Sequence, residues 1–300
     1  MKVLITGATG LIGKEITTKC HQNGISVNYL TTSKEKIETK PDYQGFFWNP
    51  EAQEIDESCF KDVDAIIHLA GASIAERWTE SYKKEIISSR IDTAALLYKT
   101  LQNSSFKIPH FISASAIGIY PSSLQKLYTE EDQGVDDSFL GEVVVKWEEA
   151  ANQFKDLGME VSKVRIGLVL AADGGALAKM KDPIELNVGT ALGSGKQWQS
   201  WIHIEDLASI FVFVLQNKLS GIYNAVAPNP VTNKELIKGI AKVLGKTIWL
   251  PNAPAIALKA ALGEMSAVVL SSQLVSSEKI MEAGYEFQFK NLTKALEDLL

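Results

Sequence analysis

Apolar residues fall in short runs that alternate with amphipathic stretches of helix length. Lys2–Thr6 reads as a buried strand stopped by Gly7. Between Gly10 and Gly24, Ile12, Ile16 and Cys20 recur on one face at i, i+4 spacing, which predicts a helix closed by a left-handed Gly24. Val27–Leu30 and Gly45–Trp48 read as the second and third strands, and Asp64–Ala70 as a fourth ending in Gly71. Glu76–Leu101 is helix-compatible. Phe111–Ser115 reads as a strand, Phe139–Leu157 as a helix and Val161–Ile166 as a sixth strand. Strands alternating with helices of ten or more residues require βαβ crossovers. The expected fold class is therefore α/β, a Rossmann-type doubly wound parallel sheet.

The rhythm changes after Gly167. Gly174, Gly175, Gly189, Gly193 and Gly195 punctuate a loop-rich stretch that ends in Trp201-Ile202-His203-Ile204. Ala208–Leu215 reads as a buried helix and Ile222–Val226 as a strand. Thr232 with Glu235 makes a capping box for a helix that stops at Gly245. The pattern predicts a dinucleotide-binding domain over residues 1–170, re-entered around 202–227. A smaller, mainly C-terminal α+β substrate domain is expected over 171–300.

Composition narrows the function classes. With 46% hydrophobic and 22% charged residues, the 300-residue chain is an ordinary globular protein rather than a disordered or fibrous one. A net charge of −6 without a basic block gives no electrostatic reason to expect nucleic acid or an anionic membrane. The most apolar stretch, Ala208–Leu215, is far short of the ~20 residues of a spanning helix. No export signal opens the chain, so a cytoplasmic location is expected. Cys20 and Cys59 lack metal-ligand spacing and read as small buried hydrophobes. His21, His68, His110 and His203 form no ligand-spaced cluster, so no metal is expected.

The most informative segment is Gly7-Ala8-Thr9-Gly10-Leu11-Ile12-Gly13, three glycines at spacing three between a strand and an amphipathic helix. In that context the first glycines let the backbone turn and approach a diphosphate, the last lets helix and strand pack closely, and the helix N-terminus directs free N–H groups at the anion. An NAD site usually carries Asp or Glu at the end of the second strand to hold the ribose hydroxyls. Here the residues are Thr31-Thr32-Ser33-Lys34, with no acid before Glu35. Hydroxyls and a lysine suit a 2′-phosphate, so NADP(H) is favoured over NAD(H).

The glycine loop, His68-Leu-Ala-Gly71 after the fourth strand and Ser113-Ala-Ser115 on the fifth resemble the extended short-chain dehydrogenase/reductase superfamily. Ser89-Arg90, Lys146-Trp147-Glu148, Val164–Leu170, Gly193-x-Gly195, Trp201-Ile-His-Ile-x-Asp206, Gly263-Glu264-Met265 and Gly284-Tyr285-x-Phe287 are similar to its atypical branch. That branch is labelled NAD(P)-dependent sugar-nucleotide epimerase and ends in a small domain of unknown function. The resemblance implies that Gly7, Ala8, Thr9, Gly10, Leu11 and Ile12 line the diphosphate. It places Thr32 and Ser33 at the adenosine ribose or its phosphate. Leu69, Ala70 and Gly71 back the coenzyme's middle, and Ser115 stands where the catalytic Ser/Thr is found. It also allows a homodimer through the long helices flanking the sheet.

Two departures accompany it. The superfamily's tyrosine, paired with a lysine four residues later, is missing: none of the eight tyrosines has Lys at +4. Glu142 and Lys146 stand four apart on the corresponding helix. They read as a surface ion pair or as a substitute acid–base pair, and Tyr120 is another candidate proton donor. Where nucleotide-sugar relatives often carry a phosphate-gripping arginine, this chain has Gln199-Ser200-Trp201. Arg165 and Lys196 are the candidate replacements, and Trp198 with Trp201 reads as a flat wall beside the substrate or as core aromatics. Two functions remain: an NADP(H)-dependent, epimerase-like oxidoreductase acting on a small carbonyl, alcohol or sugar-derived molecule, or a catalytically silent dinucleotide-sensing protein.

Overall fold

The computed structural model describes residues 1–300. Seven strands, β1 (Lys2–Thr6), β2 (Ser26–Thr31), β3 (Tyr43–Asn49), β4 (Ala65–His68), β5 (His110–Ala116), β6 (Glu160–Ile166) and a last strand, Gly221–Ala225, form one parallel sheet. Their order is β3-β2-β1-β4-β5-β6 followed by Gly221–Ala225. The chain moves outward from β1 to β3 and then returns to place β4 on the other side of β1. That reversal leaves a crevice beyond the carboxyl ends of β1 and β4.

Strand alternation sorts the core into two layers. Val3 and Ile5 of β1, with Val27, Ile67 and Ile112, pack under helices α1 (Leu11–Gln22) and, later in the chain, Ile204–Gln216. Leu4, Ile66, Phe111 and Val161 face α2 (Glu80–Gln102) and α3 (Phe139–Asn152). Gly24 and Gly245 take positive φ beyond the helices they close, and the capping box at Thr232 is formed. Two boundaries differ from the pattern. α2 starts at Glu80 because the Thr79 hydroxyl caps the Tyr82 amide, and α3 tightens into a 3₁₀ turn over Gln153–Leu157 before Gly158.

The stretch after Gly167 holds more structure than its glycines suggest. Leu168–Ala171 (β7) pairs with Trp201–His203 (β8), and α4 (Gly175–Glu185) buries Leu177 and Ile184 between them in sequence. Helix α5 (Ile204–Gln216) then covers the main sheet, to which Gly221–Ala225 (β9) adds the edge strand. A separate apolar cluster gathers Leu170, Leu177, Trp201, Leu236, Ile240 and Leu296. No helix is long and apolar enough to cross a membrane.

The C-terminal segment is tied to α5 by one carboxylate. Asp206 is buried and accepts from Tyr285 Oη at 2.8 Å and from the amides of Gln288 and Phe289 at 2.9 Å each. Its charge also lies in the first turn of α5, where the helix dipole favours it. Asp206→Ala strands buried donors, so it is expected to cost about 3 kcal/mol in urea unfolding at neutral pH. A change below ~1 kcal/mol would show that the tether is not structural.

Candidate functional site

The crevice is held by one hydroxyl. Thr6 Oγ1, at the end of β1, accepts from the amides of Leu69 (3.0 Å) and Ala70 (3.1 Å) beyond β4, and lies 2.9 Å from His68 Nδ1. With two N–H groups arriving, the hydroxyl proton goes to Nδ1. His68 is therefore the neutral tautomer with its proton on Nε2, which points 3.3 Å from Thr93 Oγ1 on α2; Thr93 passes its own proton to the Ser89 carbonyl at 2.7 Å. Full burial pushes the His68 pKa from 6.5 down to about 4, in keeping with that neutral role. His68 is a structural linker of three elements, as an imidazole on an apolar strand usually is.

The glycine loop crosses the opening this clamp creates. Gly7 adopts φ +72°, and a Cβ there would stand 3.2 Å from the Leu69 carbonyl carbon. A Cβ on Gly13 would come within 2.2 Å of the Gly7 carbonyl oxygen, so only glycine lets α1 sit this close to the loop. Gly10 is the N-cap of α1 and offers no side chain to its first amides. The N–H groups of Leu11 and Ile12 thus have no intrahelical partner and face the crevice with the positive end of the helix dipole. Ala8 is buried, Thr9 and Ile12 half-buried, and Gly10 and Leu11 exposed; opposite them Leu69 and Ala70 are half-buried and Gly71 exposed. Backbone amides beside missing side chains fit a dinucleotide's diphosphate.

At the end of β2, Thr32 and Lys34 are exposed and Ser33 is half-buried. Lys34 Nζ lies 4.9 Å from the centre of the Phe47 ring. Ser33 Oγ donates to Glu35 Oε2 at 2.6 Å, a bond that lowers the Glu35 carboxyl. Glu35 is thus an exposed acid beside this strand end, tied to Ser33.

Beyond β5 the structure departs from the expected arrangement. Ser115 is 1% exposed, and its hydroxyl donates to Glu148 Oε1 at 2.6 Å. Arg165 grips both oxygens of Glu148, through Nε at 2.7 Å and Nη2 at 3.0 Å, while Lys163 Nζ lies 3.4 Å away. Arg165 Nη1 also donates to Tyr120 Oη at 2.9 Å, and Tyr120 donates to Asn224 Oδ1 at 2.8 Å. Burial alone would raise the Glu148 carboxyl, but Arg165, with Ser115 and Lys163, outweighs it and holds the group below the usual carboxylate range. Burial pushes Tyr120 up despite Arg165. Three side chains expected at the chemistry, Ser115, Tyr120 and Arg165, are brought together, but inside a closed polar network whose donors are already committed.

The remaining candidates lie apart from it. Glu142 and Lys146 form an exposed ion pair at 2.6 Å on α3, the solvated-face arrangement. Trp201 is fully buried in the apolar cluster under α6 (Asn233–Val243), with Nε1 donating to the Asn229 carbonyl, so it is a core residue and no pocket wall. Trp198 is half-buried and donates to the Leu124 carbonyl at 3.1 Å; Lys196 is exposed. Thr6 and Glu148 were missed as organising residues. Glu148 had a signal: it falls on the helical stripe of Val144 and Ala151, where a carboxylate requires a buried partner.

Three comparisons relate the chain to known proteins. Residues 3–138 match the NAD dependent epimerase/dehydratase family, and residues 253–299 match a domain of unknown function, DUF1731. The chain is 37% identical over 302 residues to an epimerase family protein of Staphylococcus epidermidis, covering 100% of this chain and 99% of that one. A crystal structure of a human epimerase family protein with NADPH superposes with a TM-score of 0.87 at 30% identity, covering 100% and 99% of the two chains. The UDP-glucose 4-epimerase of Thermus thermophilus in complex with NAD shares the fold at 18% identity, with a TM-score of 0.79 and coverage of 100% and 98%.

Two outcomes follow for the buried groups. Glu148→Gln leaves Arg165 and Lys163 without a counter-charge and is expected to cost about 3–5 kcal/mol by urea denaturation. A loss under ~1 kcal/mol would contradict the buried-pair account. The second concerns pH. Because folding lowers the His68 pKa from 6.5 to about 4, the unfolded chain takes up a proton first, and stability falls as pH drops through that window. The contribution reaches about 3 kcal/mol, and His68→Gln should flatten the urea-midpoint profile there. A profile unchanged by the substitution would show that His68 binds its proton equally well in the folded and unfolded chain.

Proposed function

Because the chain belongs to the epimerase family, we propose that it binds NADP(H) across the β1–β4 crevice and acts as an epimerase-like oxidoreductase on a small carbonyl, alcohol or sugar-derived substrate. The observation that carries the reading is the pairing of an open glycine loop with a β2 end that presents Thr32, Ser33 and Lys34 and no carboxylate of its own. The human relative solved with NADPH supports the phosphorylated coenzyme.

In this reading Gly7–Ile12 hold the diphosphate through backbone N–H groups. Thr32, Ser33 and Lys34 take the 2′-phosphate as Glu35 turns into solvent, and Leu69–Gly71 support the middle of the coenzyme. When bound, the nicotinamide gives or takes a hydride. Ser115 would act only as an acceptor, because its own proton lies on the bond to Glu148. The proton on the reacting oxygen therefore goes to water or to a substrate group rather than to a tyrosine. One observation favours the second reading, a silent dinucleotide-sensing protein: Ser115 and Tyr120 are both buried in a satisfied network.

Fluorescence titration separates the possibilities. NADPH is expected to bind at least about tenfold more tightly than NADH, and Lys34→Glu to remove most of that preference. Equal affinity in the native protein would refute the assignment of coenzyme. NADPH consumption across a carbonyl panel, abolished in Ser115→Ala, supports the enzyme; tight binding without turnover on any carbonyl or alcohol supports the sensor.

A further inference from the structure

Charge is unevenly placed along this chain. From Leu236 to Gly263 there is no acidic residue, and Lys238, Lys242, Lys246 and Lys259 give the segment a charge of +4 in a chain of net charge −6. On α6, Lys234, Lys238 and Lys242 recur at i, i+4 spacing; all three are exposed, and no ion pair involves them. Like charges at that spacing repel and weaken a helix. The one acid of α6, Glu235, accepts the Thr232 amide at 2.7 Å and is spent on the cap. Leu236, Ile237 and Ile240 bury the other face, which leaves the lysine row outward.

Large apolar side chains stand in solvent beyond the end of that row. Trp249, three residues past Lys246, is 68% exposed, and its Nε1 donates to the Asn187 carbonyl at 2.9 Å. Asn187 sits between Leu186, 73% exposed, and Val188, 53% exposed, so apolar groups from two distant segments meet at one place. Thr190 Oγ1 ties the same two segments through the Pro251 carbonyl at 2.6 Å. Helix α7 (Ala255–Leu262) follows with no buried residue and Lys259 as its one charge. Such a short helix is marginal in water on its own. Single exposed apolar side chains are ordinary, but a group of them beside unpaired cations marks an interaction face. The acids at the end of α4 are Asp182 and Glu185, and Glu185 is paired with Lys181 at 3.5 Å.

We infer that this face docks on an anionic lipid bilayer, with Trp249, Leu186 and Val188 entering the headgroup boundary and the α6 lysines meeting acidic headgroups. The charge selects the occupant, since a second copy related by a twofold axis would set the lysine row against itself. The apolar side chains protrude as tips, the form that insertion between headgroups requires. The net charge of −6, which alone gives no reason to expect an anionic membrane, averages over this face. The chain would lie on the bilayer and not cross it, since no helix is long and apolar enough to span.

Flotation of the full chain with vesicles tests it, comparing phosphatidylcholine alone with a mixture of phosphatidylcholine and phosphatidylglycerol at about 3:1. Binding is expected to be at least about tenfold stronger on the anionic vesicles and to weaken at least about fivefold when about 0.3 M NaCl is added. Trp249→Ala and, separately, the pair Lys238→Glu with Lys242→Glu are each expected to weaken it about tenfold, with the urea midpoint unchanged. If Trp249→Ala does not fold, the lysine pair decides alone. Absence of binding, equal binding to both vesicle types, or binding insensitive to either folded variant overturns the inference. A dimer in sedimentation velocity that Trp249→Ala dissociates, or an oligonucleotide bound through the lysine row by protein that ignores vesicles, also overturns it and gives the face to another partner.

Discussion

The crevice depends on the hydroxyl of Thr6. Two parallel strands, β1 and β4, end side by side, and the chain leaving each must diverge without abandoning buried amides. Thr6 Oγ1 takes the Leu69 and Ala70 N–H groups and gives its proton to His68, which must then stay neutral. That satisfies the β4 side of the opening and leaves the N–H groups at the start of α1 unspent. The glycines follow from this closeness. Gly13 is required because any side chain would meet the Gly7 carbonyl, and Gly7 because its turn is left-handed against Leu69.

Buried charge near the end of β5 is organised around one carboxylate. Glu148 collects Ser115, Lys163 and Arg165 into one buried unit at the end of β5. The same network holds the Ser115 and Tyr120 hydroxyls buried and hydrogen-bonded. The unspent donors lie instead at the start of α1, where Gly10 offers no side chain to the first amides.

Much of the sheet was legible in the sequence because its signals are local. β1, Gly7–Gly13 and α1 announce one another within a few residues, and the Thr232–Glu235 capping box is a contact at i, i+3. α4 and the β7–β8 pair were hidden, since Gly174 and Gly175 read as punctuation of a loop while Leu177, Met180 and Ile184 mark the buried face that tertiary packing uses. Trp201 read equally as wall or core. Its neighbours come from α6 and the C-terminal helix, too distant in sequence for any local pattern to decide. The partner of Arg165 was unreadable for the same reason: it depends on how α3 lies across β5 and β6. Thr6 looked like one more β-branched strand residue, and only the β1–β4 register brings it to His68.

Hydrogen–deuterium exchange with and without NADPH tests the central claim most directly, because it reports on the backbone amides that the account assigns to the coenzyme. Slowed exchange at Gly7–Gly13 and Leu69–Ala72, on both walls of the crevice at once, is the predicted result. Unchanged exchange at both segments at a saturating coenzyme concentration would contradict it.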